Sequence, residues 1–143
     1  MQLLHTLNYI LGSNTGIGKV TAHEISKRGA RIIMLCRNIE KAEAVASEIS
    51  NDTGNQVDVL KLDLSSLNSV RECAQIILDK EEKIDILINN AGIMTCPEWK
   101  TYDGFEMQIG TNHFGHFLLT ELLIPLLRKS ASTGFTPRYA RVL

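Results

Sequence analysis

Short apolar runs alternate along this chain with stretches whose apolar residues recur at helical spacing. The run Leu7 to Leu11 ends at Gly12 and predicts a strand. Gly16 to Arg28 predicts a helix, with Val20, Ala22 and Ile25 as inner positions and Gly29 as its stop. Arg31 to Cys36 holds Ile32-Ile33-Met34-Leu35 without a polar break, which suits a strand covered on both faces. Ile39 to Ser50 places Ile39, Ala42, Ala46 and Ile49 on one helical stripe. Val57 to Leu62 predicts a third strand. Ser65 or Ser66 then caps a helix that carries Leu67, Val70, Ala74, Ile77 and Leu78. Ile84 to Ile88 predicts a fourth strand, closed by Asn89-Asn90-Ala91-Gly92. After a loop from Met94 to Lys100, the pattern predicts a short helix over Asp103 to Gly110 and a longer one over Phe114 to Arg128. Pro125 is expected to kink or break the latter. A loop over Thr133 to Pro137 leads into Arg138 to Leu143, the expected start of a fifth strand.

Strand and helix in steady alternation imply an α/β fold with parallel strands and right-handed crossovers. The expected architecture is an open, doubly wound parallel sheet. Ligands of such sheets bind beyond the carboxyl ends of the strands, where strand order reverses. The 143 residues fit a single domain, 1–143, with no internal repeat or low-complexity tract.

Charge and cysteine content narrow the function classes. Lys plus Arg is 15 and Asp plus Glu is 16, for a net charge of −1, which argues against a nucleic-acid surface. Three cysteines, Cys36, Cys73 and Cys96, form no C-x-x-C pair, so a reducing intracellular compartment is expected rather than a disulfide framework. Residues 1–18 hold no Lys, Arg, Asp or Glu, but polar residues and glycines interrupt them. Neither a signal peptide nor a membrane span is expected there.

The strongest chemical signal is Gly12-Ser13-Asn14-Thr15-Gly16-Ile17-Gly18, between the first strand and the first helix. Glycines let a backbone approach a phosphate closely, and the following helix aims its free N–H groups and positive dipole end at it. The competing reading is a glycine-rich turn without a ligand. The spacing is G-x-x-x-G-x-G rather than G-x-G-x-x-G, and no phosphate-loop G-K-[ST] is present. At the end of the second strand, where an acid would hold a ribose 2′-hydroxyl, the chain reads Cys36-Arg37-Asn38. Arg37 offers a fork suited to a phosphate, and the plain alternative is a solvated surface arginine.

These blocks, with Leu62-Asp63-Leu64-Ser65, Asn89-Asn90-Ala91-Gly92, Asp103-Gly104-Phe105-Glu106 and Asn112-His113-Phe114-Gly115-His116-Phe117, resemble the short-chain dehydrogenase/reductase family. The resemblance is to its retinol dehydrogenase-like branch, and it runs over nearly the whole chain in the family's order. It implies a Rossmann-like fold and NADP(H) as cofactor. Gly12, Ser13, Asn14, Thr15, Gly16, Ile17 and Gly18 would cradle the pyrophosphate. Arg37 would mark the preference for NADP(H), Asp63 and Leu64 would lie near the adenine, and Asn90, Ala91 and Gly92 would line the cofactor. Asn112 matches the family's catalytic asparagine, which helps hold a water relay to the active-site lysine. The implied partner is a small hydrophobic alcohol or carbonyl such as retinol or retinal, with a homodimer in a full-length form.

Each assignment has a plainer counterpart. Asp63 would equally cap the next helix, and Asn89 and Asn90 would equally form a turn. His113 and His116 would make a metal pair only with a third ligand, and no metal is expected. Phe117, Leu118 and Leu122 form an apolar stripe expected in the core or at a subunit contact.

Two departures from the family stand out. Leu11 replaces the Thr that usually opens the glycine block, an exchange expected to loosen the loop. The family's reaction also needs a Ser and a Tyr-x-x-x-Lys pair. Four residues after Tyr9, Tyr102 and Tyr139 stand Ser13, Glu106 and Leu143, none of them a lysine. The expectation is therefore the cofactor-binding part of an NADP(H)-dependent oxidoreductase, truncated at about the fifth strand and inactive alone. The alternative is a non-catalytic, truncated nucleotide-binding or interaction module. An epimerase-like relative is a weaker third, and Arg37 argues against it.

Overall fold

The computed structural model describes residues 3, 4 and 6–132 and the backbone of 138–141. Five strands, β1 (Leu7–Leu11), β2 (Arg31–Cys36), β3 (Val57–Lys61), β4 (Ile86–Asn89) and β5 (Arg138–Arg141), form one sheet in the order β3-β2-β1-β4-β5. Every pairing is parallel. The strand order runs outward from β1 in both directions, so the switch lies between β1 and β4. The predicted loop over Thr133 to Pro137 lies outside the described residues.

Alternation of side chains along the strands builds two cores. Leu7, Tyr9 and Leu11 face one side with Ile33 and Leu35, where α3 (Leu67–Lys80) and α5 (His116–Ser132) pack. Ile10, Ile32, Met34 and Cys36 face the other, against α1 (Gly16–Ser26) and α2 (Ile39–Thr53). A strand buried on both faces reads as a continuous apolar run, which is why β2 was legible. The Asn38 side chain caps α2 by accepting from Lys41 N–H, and Ser66 caps α3 by accepting from Ser69 N–H. Of the two candidate caps for α3, Ser66 is the one used.

One expectation about helices is corrected and two are narrowed. Val20 is 63% exposed, and α1 turns Gly18, Ala22 and Ser26 inward instead. That stripe of small residues lets the helix lie close to the sheet, and apolarity alone does not reveal it. Phe117 is 59% exposed, while Leu119, Leu123 and Leu126 fill the core, with Leu118 and Leu122 at its margin. Pro125 neither ends nor breaks α5, which continues to Ser132. The carbonyl four residues earlier belongs to Glu121; both residues are exposed, so water can take the bond that proline cannot make.

The segment between β4 and α5 also differs from the expected pair of helices. A short α4 (Met107–Ile109) passes into a π-helical stretch over Gly110–Gly115, and only then does α5 begin. The cause is tertiary. A Cβ on Gly115 would lie 2.4 Å from the Leu64 carbonyl oxygen, so the wider coil brings its backbone against the β3–α3 loop.

Candidate functional site

The carboxyl ends of β1, β2, β3 and β4 open onto one cleft of about 920 Å³. Its floor is the turn after β1. Gly12 N–H donates to the Leu35 carbonyl at 2.9 Å, and the Ser13 hydroxyl donates to the Ile10 carbonyl at 3.0 Å. From β4, Asn90 Nδ2 donates to the Leu11 carbonyl at 2.9 Å and to that of Gly12 at 3.1 Å. Leu11 itself is fully buried in the core. The turn that follows Leu11 is held by the bonds from Ser13 and Asn90.

The cleft floor fits a phosphate. Thr15 stands at the N-cap of α1 but makes no side-chain capping bond, unlike Asn38 and Ser66 on the next two helices. The first-turn N–H groups of α1 therefore border the cleft without a side-chain acceptor among the described residues, with the helix dipole behind them. Gly18 is needed there for space: a Cβ would meet Asn90 Nδ2 at 2.5 Å and the Gly12 carbonyl oxygen at 2.7 Å. Around Gly16 the space is open, with nothing within 4 Å of a Cβ. Burial pushes the Cys36 thiol up, against the opposing effect of Ser13, so it stays a neutral filler beneath the turn.

Most of the sequence-predicted residues meet in this cleft. Gly12, Asn14, Thr15, Gly16, Ile17, Gly18, Arg37, Asp63, Leu64, Asn90, Ala91, Gly92 and Asn112 line it. Ser13 is buried behind the wall, holding the turn. Asp63 does not cap α3: its Oδ1 accepts from the N–H of Ser65 at 2.9 Å and from its hydroxyl at 2.6 Å. That bond pair shapes the loop carrying Leu64. Arg37 is exposed at the mouth, and no carboxylate pairs with it among the described residues.

Asn112 sits in the π-helical stretch. Its Nδ2 donates to the Ile93 carbonyl at 2.8 Å and its Oδ1 accepts from Ile93 N–H at 2.9 Å. The amide thus makes a two-bond rung with the chain leaving β4. It holds the wall formed by Asn90 to Ile93.

His116 lines the cleft too, a role that the sequence reading did not give it. It is buried, with Nδ1 3.0 Å from Asn89 Oδ1 and Nε2 donating to the Ala91 carbonyl at 2.8 Å. His113 is exposed, and no cluster of three metal-capable side chains occurs among the described residues. The signal for His116 lay in its spacing: four residues after Asn112, both fall on the face that meets the chain beyond β4. No helix among the described residues is long and apolar enough to cross a membrane.

The short chain dehydrogenase family model matches residues 7–134. Retinol dehydrogenase 13 from Homo sapiens is 57% identical over 123 residues, which are 85% of this chain and 37% of that protein. Retinol dehydrogenase 11 from Homo sapiens is 54% identical over 132 residues, 92% of this chain and 42% of that protein. The chain thus spans about two fifths of the length of these curated relatives. Among solved structures, the Pseudomonas aeruginosa RhlG/NADP active-site complex superposes with a TM-score of 0.84 at 30% identity. It covers 98% of this chain and 55% of that one. A short chain dehydrogenase from Escherichia coli CFT073 complexed with NADPH gives a TM-score of 0.78 at 32% identity, over 90% of this chain and 55% of that one.

Proposed function

The chain belongs to the short-chain dehydrogenase family, a family of oxidoreductases, and we propose that it supplies the NADP(H)-binding part of an enzyme acting on hydrophobic alcohols or carbonyls of the retinoid class. The observation that carries the cofactor reading is Arg37. It stands at the mouth of the cleft just beyond β2, where a carboxylate would repel a 2′-phosphate, and no acid neutralises it among the described residues. A charge-assisted bond to phosphate is worth about 1.5–3 kcal/mol, enough to set a cofactor preference.

In this reading the first-turn N–H groups of α1 hold the pyrophosphate, and Arg37 holds the 2′-phosphate. Asp63 and Leu64 flank the adenine. Asn90, Ala91 and Gly92 support the nicotinamide side, and Asn112 keeps that wall in register through Ile93. The cofactor supplies the hydride when bound. This chain's residues bind and orient it. The proton-donating phenol is not assigned to any of its tyrosines, because none has a lysine four residues on. The retinoid class is supported by the names of the relatives and by Met94, 84% exposed at the rim of the cleft.

Fluorescence titration with NADPH and NADH, on the wild-type chain and Arg37→Asp, tests the proposal. NADPH is expected to bind more tightly than NADH to the wild type, and the preference to collapse in the variant. Equal wild-type affinities for the two cofactors would overturn it.

A further inference from the structure

The two strand ends that flank Arg37 carry a second cation. β2 and β3 pair in parallel with Cys36 opposite Lys61, and Leu62 N–H donates to the Cys36 carbonyl at 3.1 Å. Lys61 alternates with Val57 and Val59, which pack into the α1–α2 core, so its stem lies on that face of the sheet. Its ammonium turns over the end of β2 and donates to the Arg37 carbonyl at 2.6 Å. One of three ammonium hydrogens is thereby used, and two remain for another acceptor.

What sets this corner apart is the bond from one cation's ammonium to the other cation's backbone, since some described cations are paired and others are not. Lys19 is paired with Glu48 at 2.7 Å, Arg31 with Glu81 at 3.1 Å and Lys83 with Asp85 at 2.9 Å. Neither Lys61 nor Arg37 has a carboxylate within ion-pair distance among the described residues. The Lys61 ammonium is therefore held at the backbone of Arg37, the residue whose side chain lines the cleft, and an anion at Arg37 would be attracted by both charges.

We infer that Lys61 is the second half of the anion-binding corner: it positions Arg37 through the carbonyl bond and shares the 2′-phosphate with it. The inference rests on the reading of Arg37 as the 2′-phosphate contact. It adds a cofactor-discriminating residue on β3, some two dozen positions downstream of Arg37. Asn38, the residue after Arg37, is neutral and caps α2.

The experiment compares 2′,5′-ADP with 5′-AMP, two probes that isolate the extra phosphate from the nicotinamide. Affinities are measured calorimetrically for wild type, Lys61→Met and Lys61→Arg at low and moderate salt. Lys61→Met is expected to lower the ratio of the two affinities by about threefold to tenfold, less at the higher salt. Lys61→Arg restores most of the ratio, because a cation returns. A ratio unchanged in Lys61→Met, or a loss shared equally by both probes, overturns the inference while leaving Arg37 in place. A wild type that does not prefer 2′,5′-ADP overturns the Arg37 reading itself, and this inference with it.

Discussion

Asn90 reaches back from the end of β4 to the Leu11 and Gly12 carbonyls, at 2.9 and 3.1 Å, and so ties the cofactor-facing turn to a residue 78 positions later. The same amide closes the space above Gly18. One side chain therefore fixes both the position of the turn and the limit on what can occupy it. Asn90→Ala removes both bonds and is expected to destabilise the chain by about 1–3 kcal/mol. NADPH affinity should fall by roughly fivefold or more as the turn loses its anchor. Urea unfolding and cofactor titration on the same sample check this, and full binding by the variant would show that the turn holds itself.

Gly16 and Gly18 are predicted to fail in different ways. Gly18→Ala forces a Cβ into the Asn90 amide and the Gly12 carbonyl, so the fold is disturbed first, with a lower melting temperature. Gly16 has a φ of +53° and open space around it. Gly16→Val pays about 1–2 kcal/mol of backbone strain and projects its side chain toward the cleft, so binding is lost more completely than structure. Circular dichroism melts beside NADPH titrations separate the two patterns. The prediction fails if Gly16→Val binds normally.

The glycine spacing, the uncovered Arg37 and the β–α alternation were legible in the sequence because each is local: a turn, a charge, a run of apolar residues. The π-helical stretch was not. Its coil is set by the approach of Gly115 to the Leu64 carbonyl, and Gly110 is packed as closely against Thr101, where a Cβ would lie 2.3 Å from Cγ2. Neither contact leaves a periodicity to read. On the inner face of α1, Ala22 and Ile25 were legible, but Gly18 and Ser26 were missed because they pack by being small. The bond from Lys61 to the Arg37 carbonyl depends on strand register, which the sequence pattern alone leaves open.

Asp103 lies in the turn before α4 and caps a helix other than the one it precedes. Its Oδ2 accepts from the Leu67 N–H at 2.8 Å, while the neighbouring Tyr102 N–H donates to the Ser65 carbonyl at 3.1 Å. The loop that follows the cleft wall is thereby fastened to the start of α3. Asp103→Ala should cost about 0.5–2 kcal/mol, the range for a lost cap. Ser66→Ala removes the local cap of the same helix and should cost a similar amount. Only Asp103→Ala should speed proteolytic cleavage within residues 93–106, because only it releases that loop. Equal cleavage rates in the two variants would dismiss the tether.

Asp85 is fully buried at the opposite end of the sheet from the cleft. Its Oδ2 accepts from Leu7 N–H at 2.8 Å, and its Oδ1 accepts from Lys83 Nζ at 2.9 Å and from the Ser130 hydroxyl. Burial alone pushes this carboxyl up, but the bonds from Ser130, Leu7 and Lys83 outweigh it and hold it below the ordinary value. The folded chain thus binds this proton less tightly than the unfolded chain does. As pH falls through the unfolded value of about 3.9, the unfolded state takes up more protons and stability drops. The drop ends once the folded carboxyl is itself protonated; above about pH 5 the contribution is complete and flat. Asp85→Asn removes the charge, should cost about 1.5–3 kcal/mol near neutrality, and should flatten the decline between pH 5 and 3. Urea midpoints at pH 7, 5, 4 and 3 for both proteins decide it. A variant that loses stability with acid as steeply as the wild type would place the acid sensitivity on other carboxylates.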